Sequence, residues 1–454
     1  MIYDLAIIGA GSGGLSVAAA AAQFGQKVIL FEKGKMGGDC LNYGCVPSKA
    51  LIAAAKHAHV FRTSGPYGIA ATEPKVDFKK VRDHIRKVIA AIEPHDSAAR
   101  FEKLGVKVVP GAAKFRDAKT LESGGGIFSA KRIVIATGSR PAVPAIPGLE
   151  TVAYFTNETI FENNVLPKHL IIIGGGAIGM ELAQAHRRLG SAVTVIEAFT
   201  PLAKDDPELA AVVLESLRRD GVKIFAETAI KKISKAKSGI AIETARHGKI
   251  TGSHLLVATG RAANVEGLNL EAAGVVYTAK GVTVDKGLRT SQKHIYAIGD
   301  VAGGLQFTHV ANYHAGLVIR NALFRLPVSN RSDIIPHVTF SEPELAQVEH
   351  QQPRRERRVQ AALVAPDRRG DRGVRDVDLE RTEHRLGRIV GEAIGSGRGV
   401  QRHVHRHEAP EVPLLLLLGL VPGSTEAALQ PVGLRCESAS DPLGIDELHP
   451  ELSW

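Results

Sequence analysis

One pattern restricts this chain more than any other, because the chain carries it twice. An apolar run, Tyr3-Asp4-Leu5-Ala6-Ile7-Ile8, leads into Gly9-Ala10-Gly11-Ser12-Gly13-Gly14 and an alanine-rich stretch that continues to about Phe24. A second run, Lys27-Val28-Ile29-Leu30-Phe31, ends in Glu32, 18 positions after the last of those glycines. Continuous apolar runs of this kind read as strands of a parallel sheet covered on both faces, with the alanine-rich stretch as the crossing helix. In that setting each position of G-x-G-x-x-G has a task. Gly9 allows the tight turn, Gly11 lets the backbone approach a pyrophosphate, Gly14 packs helix on strand, and Glu32 accepts from ribose hydroxyls. The pattern returns 165 positions on, from Gly9 to Gly174. Leu170-Ile171-Ile172-Ile173 precedes Gly174-Gly175-Gly176-Ala177-Ile178-Gly179, and the strand Ala192-Val193-Thr194-Val195-Ile196 ends in Glu197. Each copy is followed by an apolar strand that breaks at Ala-Thr-Gly, once at Ala136-Thr137-Gly138 and again at Ala258-Thr259-Gly260. The sequence is an internal duplication, and two fingerprints predict two dinucleotides, one retained and one exchanged.

After the first fingerprint comes Gly37-Gly38-Asp39-Cys40-Leu41-Asn42-Tyr43-Gly44-Cys45-Val46-Pro47-Ser48-Lys49, which holds two of the three cysteines in the chain. Pro47 suits the first turn of a helix, and Lys49-Ala50-Leu51-Ile52-Ala53-Ala54-Ala55 forms helix well. Cys45 then lies at a helix N-terminus, where the positive end of the dipole favours a thiolate. Cys40, back in the loop, is free to face a partner. That is the build of a redox-active pair. Two other readings of C-x4-C stand beside it. Half a zinc site needs another close Cys/His pair, and His57 and His59, two apart on the helix, face different ways. Two inert, buried cysteines are the second.

Gly37 to Leu51 resembles the redox-disulfide signature of the flavoprotein disulfide reductases, the group of dihydrolipoamide dehydrogenase, glutathione reductase and mercuric reductase. Further stretches resemble that family in its own order. Ile133 to Pro141 is similar to its ATG motif, where the chain passes close to the bound dinucleotide. Ile295-Tyr296-Ala297-Ile298-Gly299-Asp300 is similar to its third FAD motif, whose aspartate bonds the ribityl chain. Thr308-His309-Val310-Ala311 matches the helix start beside the flavin ring. Pro336 to Val348 resembles the opening strand of the interface domain, until Glu349 stands where family members have glycine.

The resemblance implies an α/β architecture of two Rossmann-like domains with a C-terminal α+β interface domain. Its segments would be an FAD-binding domain at 1–150 and 266–330, an NAD(P)-binding domain at 151–265, and an aberrant dimerisation domain at 331–454. FAD contacts are carried over to Gly9, Gly11, Gly14, Glu32, Gly38, Lys49, Gly111, Thr137, Gly138, Ser139, Asp300, Thr308 and His309. The nicotinamide nucleotide falls to Gly174, Gly176, Gly179, Glu197 and Gly260. Glu197 favours NAD over NADP, because a carboxylate repels a 2′-phosphate and Ala198-Phe199-Thr200-Pro201 supplies no arginine to reverse that. Arg187 and Arg188 on the preceding helix temper the preference.

The implied chemistry moves hydride from NADH to FAD, then an electron pair to the Cys40–Cys45 disulfide, and on to a small or protein-bound disulfide. Cys45 holds the thiolate nearer the flavin and Cys40 exchanges with the substrate. Lys49 and Glu181 match the family positions that pair beside the flavin and nicotinamide. Three alternatives are a mercuric-reductase-like enzyme, an NADH oxidase or diaphorase that bypasses the disulfide, and an inactive nucleotide-binding remnant.

At 454 residues the chain is too long for one core and should divide into two to four domains. Its net charge of +10 comes from Lys and Arg interleaved with Asp and Glu, which does not predict nucleic-acid binding. Three cysteines in such a length suit the reducing cytoplasm. Leu5 to Gly25 is broken by four glycines and Val412 to Val421 is too short to span a bilayer, so no membrane segment is expected. No metal site is expected either.

The tail breaks the pattern. From His350 to Trp454, 105 residues hold 15 Arg but no Lys, Phe, Tyr, Asn or Met, and one aromatic, Trp454. With 16 Asp and Glu the tail is nearly neutral, so it is no basic arm. Surplus arginine and missing A/T-rich codons indicate a GC-rich gene read in the wrong frame. Another frame should restore Val-Gly after Gln347 and, downstream, the family's His-Pro-x-Pro-Thr-x-x-x-Glu segment. Its histidine is the family's acid/base, supplied across a homodimer. No base is carried over to this chain, and its homodimer is in doubt.

Overall fold

The computed structural model describes residues 2–237, 239–351, 357–366 and 372–375, with side chains as far as Val348. Two compact units divide the chain, Met1–Ala365 and Pro366–Trp454. Most of the tail, and with it the frame-shift reading and the search for a base, lies outside the described residues. In the second unit the strand Arg372–Arg375 is described.

The first unit opens with β1 (Ile2–Ile8), α1 (Ser12–Gln23) and β2 (Val28–Glu32). The helices α2 (Gly38–Asn42), α3 (Cys45–Thr63), α4 (Phe78–Ile92) and α5 (Ala98–Lys103) follow. Next come β3 (Lys107–Pro110), β4 (Lys114–Asp117), β5 (Thr120–Ser123), β6 (Gly126–Ile135) and the short β7 (Ser139–Pro141). The second copy runs β8 (His169–Ile173), α6 (Ala177–Arg188), β9 (Ala192–Ile196), α7 (Pro207–Arg219) and β10 (Lys223–Phe225). It continues with β11 (Ile230–Ala236), β12 (Gly239–Thr244), β13 (Lys249–Gly252), β14 (His254–Val257) and β15 (Arg261–Ala263). The chain then forms β16 (Tyr277–Thr278), β17 (Gly281–Val282), β18 (Ile295–Ala297) and α8 (Thr308–Phe324). Last come β19 (His337–Thr339), β20 (Glu344–Gln351) and β21 (Arg357–Pro366).

The duplication read from the glycines is a duplication of sheets. In the first, β3, β2, β1 and β6 lie side by side and parallel, with β18 on the far edge of β6. In the second, β10, β9, β8 and β14 repeat that order in parallel. Both copies carry a three-strand antiparallel meander, β4–β5–β6 in one and β11–β12–β13 in the other. Alternate residues of β1 go to opposite layers. Leu5 and Ile7 pack with α1 and α8, while Ala6 and Ile8 face Phe31, Ile133 and Ile295. That two-sided burial is why these strands read as unbroken apolar runs. Each leucine or isoleucine so buried contributes roughly 1.5–3 kcal/mol.

Both glycine turns are pinned by the same contact. A Cβ on Gly14 would stand 1.9 Å from the Gly9 carbonyl oxygen, and one on Gly179 would stand 2.1 Å from that of Gly174. Gly9 and Gly174 themselves have φ of +106° and +111°, open to glycine at no steric cost.

One packing arrangement was not visible in the sequence. The helix α3, which starts in the first copy, is buried against the second. Ala50, Leu51 and Ala55 share a core with Leu182, Ala183 and Leu189 on and just beyond α6, and with Leu170 and Ile172 of β8. In the stretch likened to the third FAD motif the strand is Ile295–Ala297, and before it the chain turns back, with the Thr290 amide donating to the Ile295 carbonyl. Past Val348, where the resemblance runs out, β20 continues to Gln351 and pairs antiparallel with β21 from Gln351↔Arg357 to Glu344↔Val364.

Candidate active site

The site is built at the N-terminus of α3. Gly44 caps the helix without a side-chain bond, so Cys45 is its first residue and the first-turn amides stay directed at the sulfur's end. Cys40 is not loose in a loop, as the sequence suggested, but sits on the one-turn helix α2. By accessible surface Cys45 is exposed and Cys40 half-buried, although protein crowds closely around the Cys45 sulfur. Both are free thiols. Cys45 Sγ lies 3.3 Å from Thr308 Oγ1, at the start of α8. Thr308, read from sequence as a flavin contact, is therefore also a partner of the thiol.

The two cysteines share a proton unequally. A hydrogen bond from Cys40 is the largest influence holding Cys45 down, to about 6, against the opposing effect of burial. Thr308 and the positive charge of Lys49 add to it. The same hydrogen bond, with burial, pushes the Cys40 thiol far up. The charge rests on Cys45 and the proton on Cys40, because the helix end, Thr308 and Lys49 all favour a negative sulfur at position 45.

Lys49 lies one turn further along α3, and packing of α3 on α6 sets it beside Glu181. Their Nζ and Oε2 are 2.9 Å apart, with Glu181 buried and Lys49 half-exposed. The ring of Phe340 lies 4.2 Å from Lys49 Nζ, and the Phe340 amide donates to Glu181 Oε1 at 2.9 Å. Phe340 belongs to the stretch read as the opening of an interface domain, and its place against this pair was missed.

Around the first glycine turn the remaining candidates gather. Gly11 caps α1 with no side-chain bond, which leaves first-turn amides for an anion. A Cβ on Gly38 would lie 2.6 Å from the Gly11 Cα, so the cysteine loop presses directly on the turn. Gly111 closes the far side, its amide donating to the Glu32 carbonyl at 2.7 Å. Thr137 and Gly138 are held by Asn264, through Thr137 Oγ1 to the Asn264 carbonyl at 2.7 Å and the Asn264 amide to the Gly138 carbonyl at 3.0 Å. Ser139 donates to Asp300, whose carboxyl burial raises above the usual range. His309 is turned to the Pro336 carbonyl at 2.7 Å and stacks on Phe307.

Arg261 ties these pieces together and was not singled out in the sequence. It follows the second Ala-Thr-Gly, where Gly260 takes a φ of +128°. Its guanidinium reaches Asp39 at 3.1 Å, Ser139 Oγ at 2.6 Å and Asp300 at 3.6 Å. Only the flanking motif marked it, and a surface arginine carries the same letter.

The two strand-end glutamates behave alike. Glu32 accepts from Ala10 N at 2.7 Å and Gly34 N at 2.6 Å. Glu197 accepts from Gly175 N at 2.6 Å and Phe199 N at 2.8 Å. Read from sequence as ribose acceptors, they are also latches that close their own turns. At the second turn Gly176 caps α6 without a side chain, and a Cβ there would meet nothing within 4 Å. That open cradle fits a nucleotide pyrophosphate, as the Gly9–Gly14 turn does. Arg187 and Arg188 stand at the other end of α6, bonded to the Asp220 carbonyl and carboxylate at 2.8 and 2.7 Å. Among the described residues no cluster of three or more His, Cys, Asp or Glu is placed to hold a metal, and no helix is long and apolar enough to cross a membrane.

Two coupled dinucleotide folds presenting a dithiol beside a lysine–glutamate pair define a flavin-dependent oxidoreductase of the disulfide type. The chain belongs to the pyridine nucleotide-disulphide oxidoreductase family, which matches residues 3–315, a family of enzymes that use FAD and a nicotinamide nucleotide. Among its relatives, a mercuric reductase of Streptomyces lividans is 39% identical over 359 residues, covering 76% of this chain and 75% of the relative. A mercuric reductase of Lysinibacillus sphaericus is 36% identical over 76% of this chain, but the match spans only 64% of that longer protein. The dihydrolipoyl dehydrogenase of Bacillus subtilis is 34% identical, with 75% and 76% covered. Among solved structures, the HOCl-induced flavoprotein disulfide reductase RclA from Escherichia coli superposes with a TM-score of 0.70 at 27% identity, covering 80% of this chain and 87% of that one.

Proposed function

We propose that this chain is an NADH-dependent flavoprotein disulfide reductase whose Cys40–Cys45 pair relays two electrons to a disulfide substrate. The observation that carries the reading is the placement of the pair, with Cys45 as the first residue of α3, Thr308 Oγ1 3.3 Å from its sulfur, Lys49 one turn further on, and Cys40 on α2. When bound, FAD would accept hydride from the nicotinamide and return the electron pair to the cysteines. The Gly9–Gly14 turn and α1 would hold its pyrophosphate, with Asp300, Ser139 and Thr137 along its length.

The residues' own part is thiol–disulfide exchange. Cys40, once deprotonated, attacks one sulfur of the substrate disulfide, and the first substrate thiol leaves with a proton. Cys45 thiolate then attacks the Cys40 sulfur of the mixed disulfide and expels the second substrate sulfur as a thiolate, which takes its proton from water, leaving Cys40–Cys45 oxidised by two electrons. Removing the proton from Cys40 is the task of a base, which the resemblance places beyond the described residues. NADH is favoured because Glu197 stands at the ribose end of the second strand, while Arg187 and Arg188 are committed to Asp220. A homodimer, usual in the family, would supply the base.

The test replaces Cys40 with Ser and compares two acceptors. Turnover of NADH with a disulfide should fall by at least about a hundredfold, while quinone reduction, which needs no dithiol, should stay within about twofold. Unchanged disulfide turnover would sink the relay.

A further inference from the structure

The C-terminal stretch that opens with Pro336 delivers one residue to the redox site. Phe340 touches both members of the Lys49–Glu181 pair at once. Its amide donates to Glu181 Oε1 at 2.9 Å, so the carboxylate is oriented by the chain of a distant segment as well as by the lysine on Oε2. Its ring lies 4.2 Å from Lys49 Nζ, close enough for a cation–π attraction. We infer that Phe340 is a positioning residue, one that fixes the Lys49 ammonium between its ring and Glu181 so that the charge stays aimed at the Cys45 sulfur.

Phe340 is itself held from behind. The next two residues anchor it, with the Glu342 amide donating to Gln184 Oε1 at 2.8 Å and the Glu342 carbonyl accepting from Ser216 Oγ at 2.6 Å. Ser341 is buried, its hydroxyl donating to the Pro343 carbonyl at 2.8 Å. The ring is therefore presented by a fixed backbone on α6 and α7. Lysine gives up much rotamer freedom when it is fixed, and with 29% of its side chain exposed Glu181 alone leaves it room to swing toward solvent. A ring on one side and a carboxylate on the other remove that room.

Cys45 is where the positioning can be read. The groups that act on its charge are Cys40 and Asp39 on α2, Thr308 on α8 and Lys49 on its own helix. Asp39 is tied to Arg261 at 3.1 Å and Thr308 is the first residue of α8, whereas the contacts of Phe340 are to Lys49 and Glu181. A change made at position 340 reaches Cys45 through Lys49.

The inference rests on the redox role proposed for Cys45 and Lys49, but its test needs no turnover. The reduced full-length protein is alkylated with iodoacetamide across a pH range, and the rate at Cys45 is followed by mass spectrometry of its peptide. In Phe340→Leu, which keeps apolar bulk and loses the ring, the inflection should rise by about half a pH unit, a roughly threefold fall in thiolate well below it. Phe340→Tyr keeps the ring and should return the inflection to the parent's. If leucine fails to fold, site-specific trifluorophenylalanine at 340 keeps the shape, drains the ring face of negative charge and should move the inflection the same way. An inflection unmoved by leucine or by fluorination overturns the inference, as does an equal rise with leucine and tyrosine. Disulfide turnover surviving in Cys40→Ser would instead overturn the relay and leave the alkylation result standing.

Discussion

At the scale of single residues, the most exacting group away from the redox site is His186 on α6. It is buried at 1% exposure, its Nδ1 meets the Leu182 carbonyl at 2.8 Å, and its Nε2 has no partner among the described residues. Burial holds it down to about 4, so it stays neutral in the fold. Unfolded, it binds a proton near pH 6.5. Above that pH both states are neutral and nothing is lost. Below it only the unfolded chain gains the proton, so stability falls as pH drops from about 6.5 toward 4, by roughly 2 kcal/mol at pH 5. His186→Leu should flatten that acid limb, as measured by urea unfolding at pH 7 and pH 5. An acid limb as steep as the parent's would show that the histidine is not its source. The cysteine pair was legible at this scale because types and spacing carry the chemistry. Phe340 and Arg261 were not, since each acts on partners distant along the chain that no local pattern identifies.

At the scale of elements, the two glycine turns were readable almost atom for atom, because each glycine answers a local backbone requirement. They separate into positions that shape the turn and positions that leave room for a ligand. Gly14 shapes it, for its Cβ would enter the Gly9 carbonyl. Gly176 leaves room, with φ of −77° and open space where the Cβ would go. Gly14→Ala should therefore destabilise the protein by about 1–3 kcal/mol, while Gly176→Ala should melt like the parent and weaken nucleotide binding alone. Thermal denaturation of the two variants, beside a nicotinamide-nucleotide titration of the second, checks this. Equal melting losses would mean the second turn is as tightly built as the first. What the strand and helix patterns could not convey was which copy α3 packs on, because its apolar face is alanine-rich and would suit either.

At the scale of the whole molecule, a buried cluster of charge joins the second nucleotide fold to the C-terminal stretch. Arg188 meets Asp220 at 2.7 Å and also Glu342, two residues beyond Phe340. Glu342→Gln leaves a buried guanidinium with one anion fewer, at a cost of about 1–3 kcal/mol. Hydrogen exchange over residues 337–348 should quicken in that variant, and unchanged protection there would place the anchor elsewhere. The broad architecture followed from the duplication, but the joints between its parts are made by single side chains and so stayed hidden.

The seating of α3 in the core of the second copy bears on how such proteins can be recombined. A chimera that takes its second nucleotide fold from a relative would part Lys49 from the glutamate it grew up with and lay a foreign α6 against Ala50, Leu51 and Ala55. The heritable module in this chain is the helix pair that straddles the two folds, and a graft that respects the folds but cuts between those helices would inherit both halves and neither function.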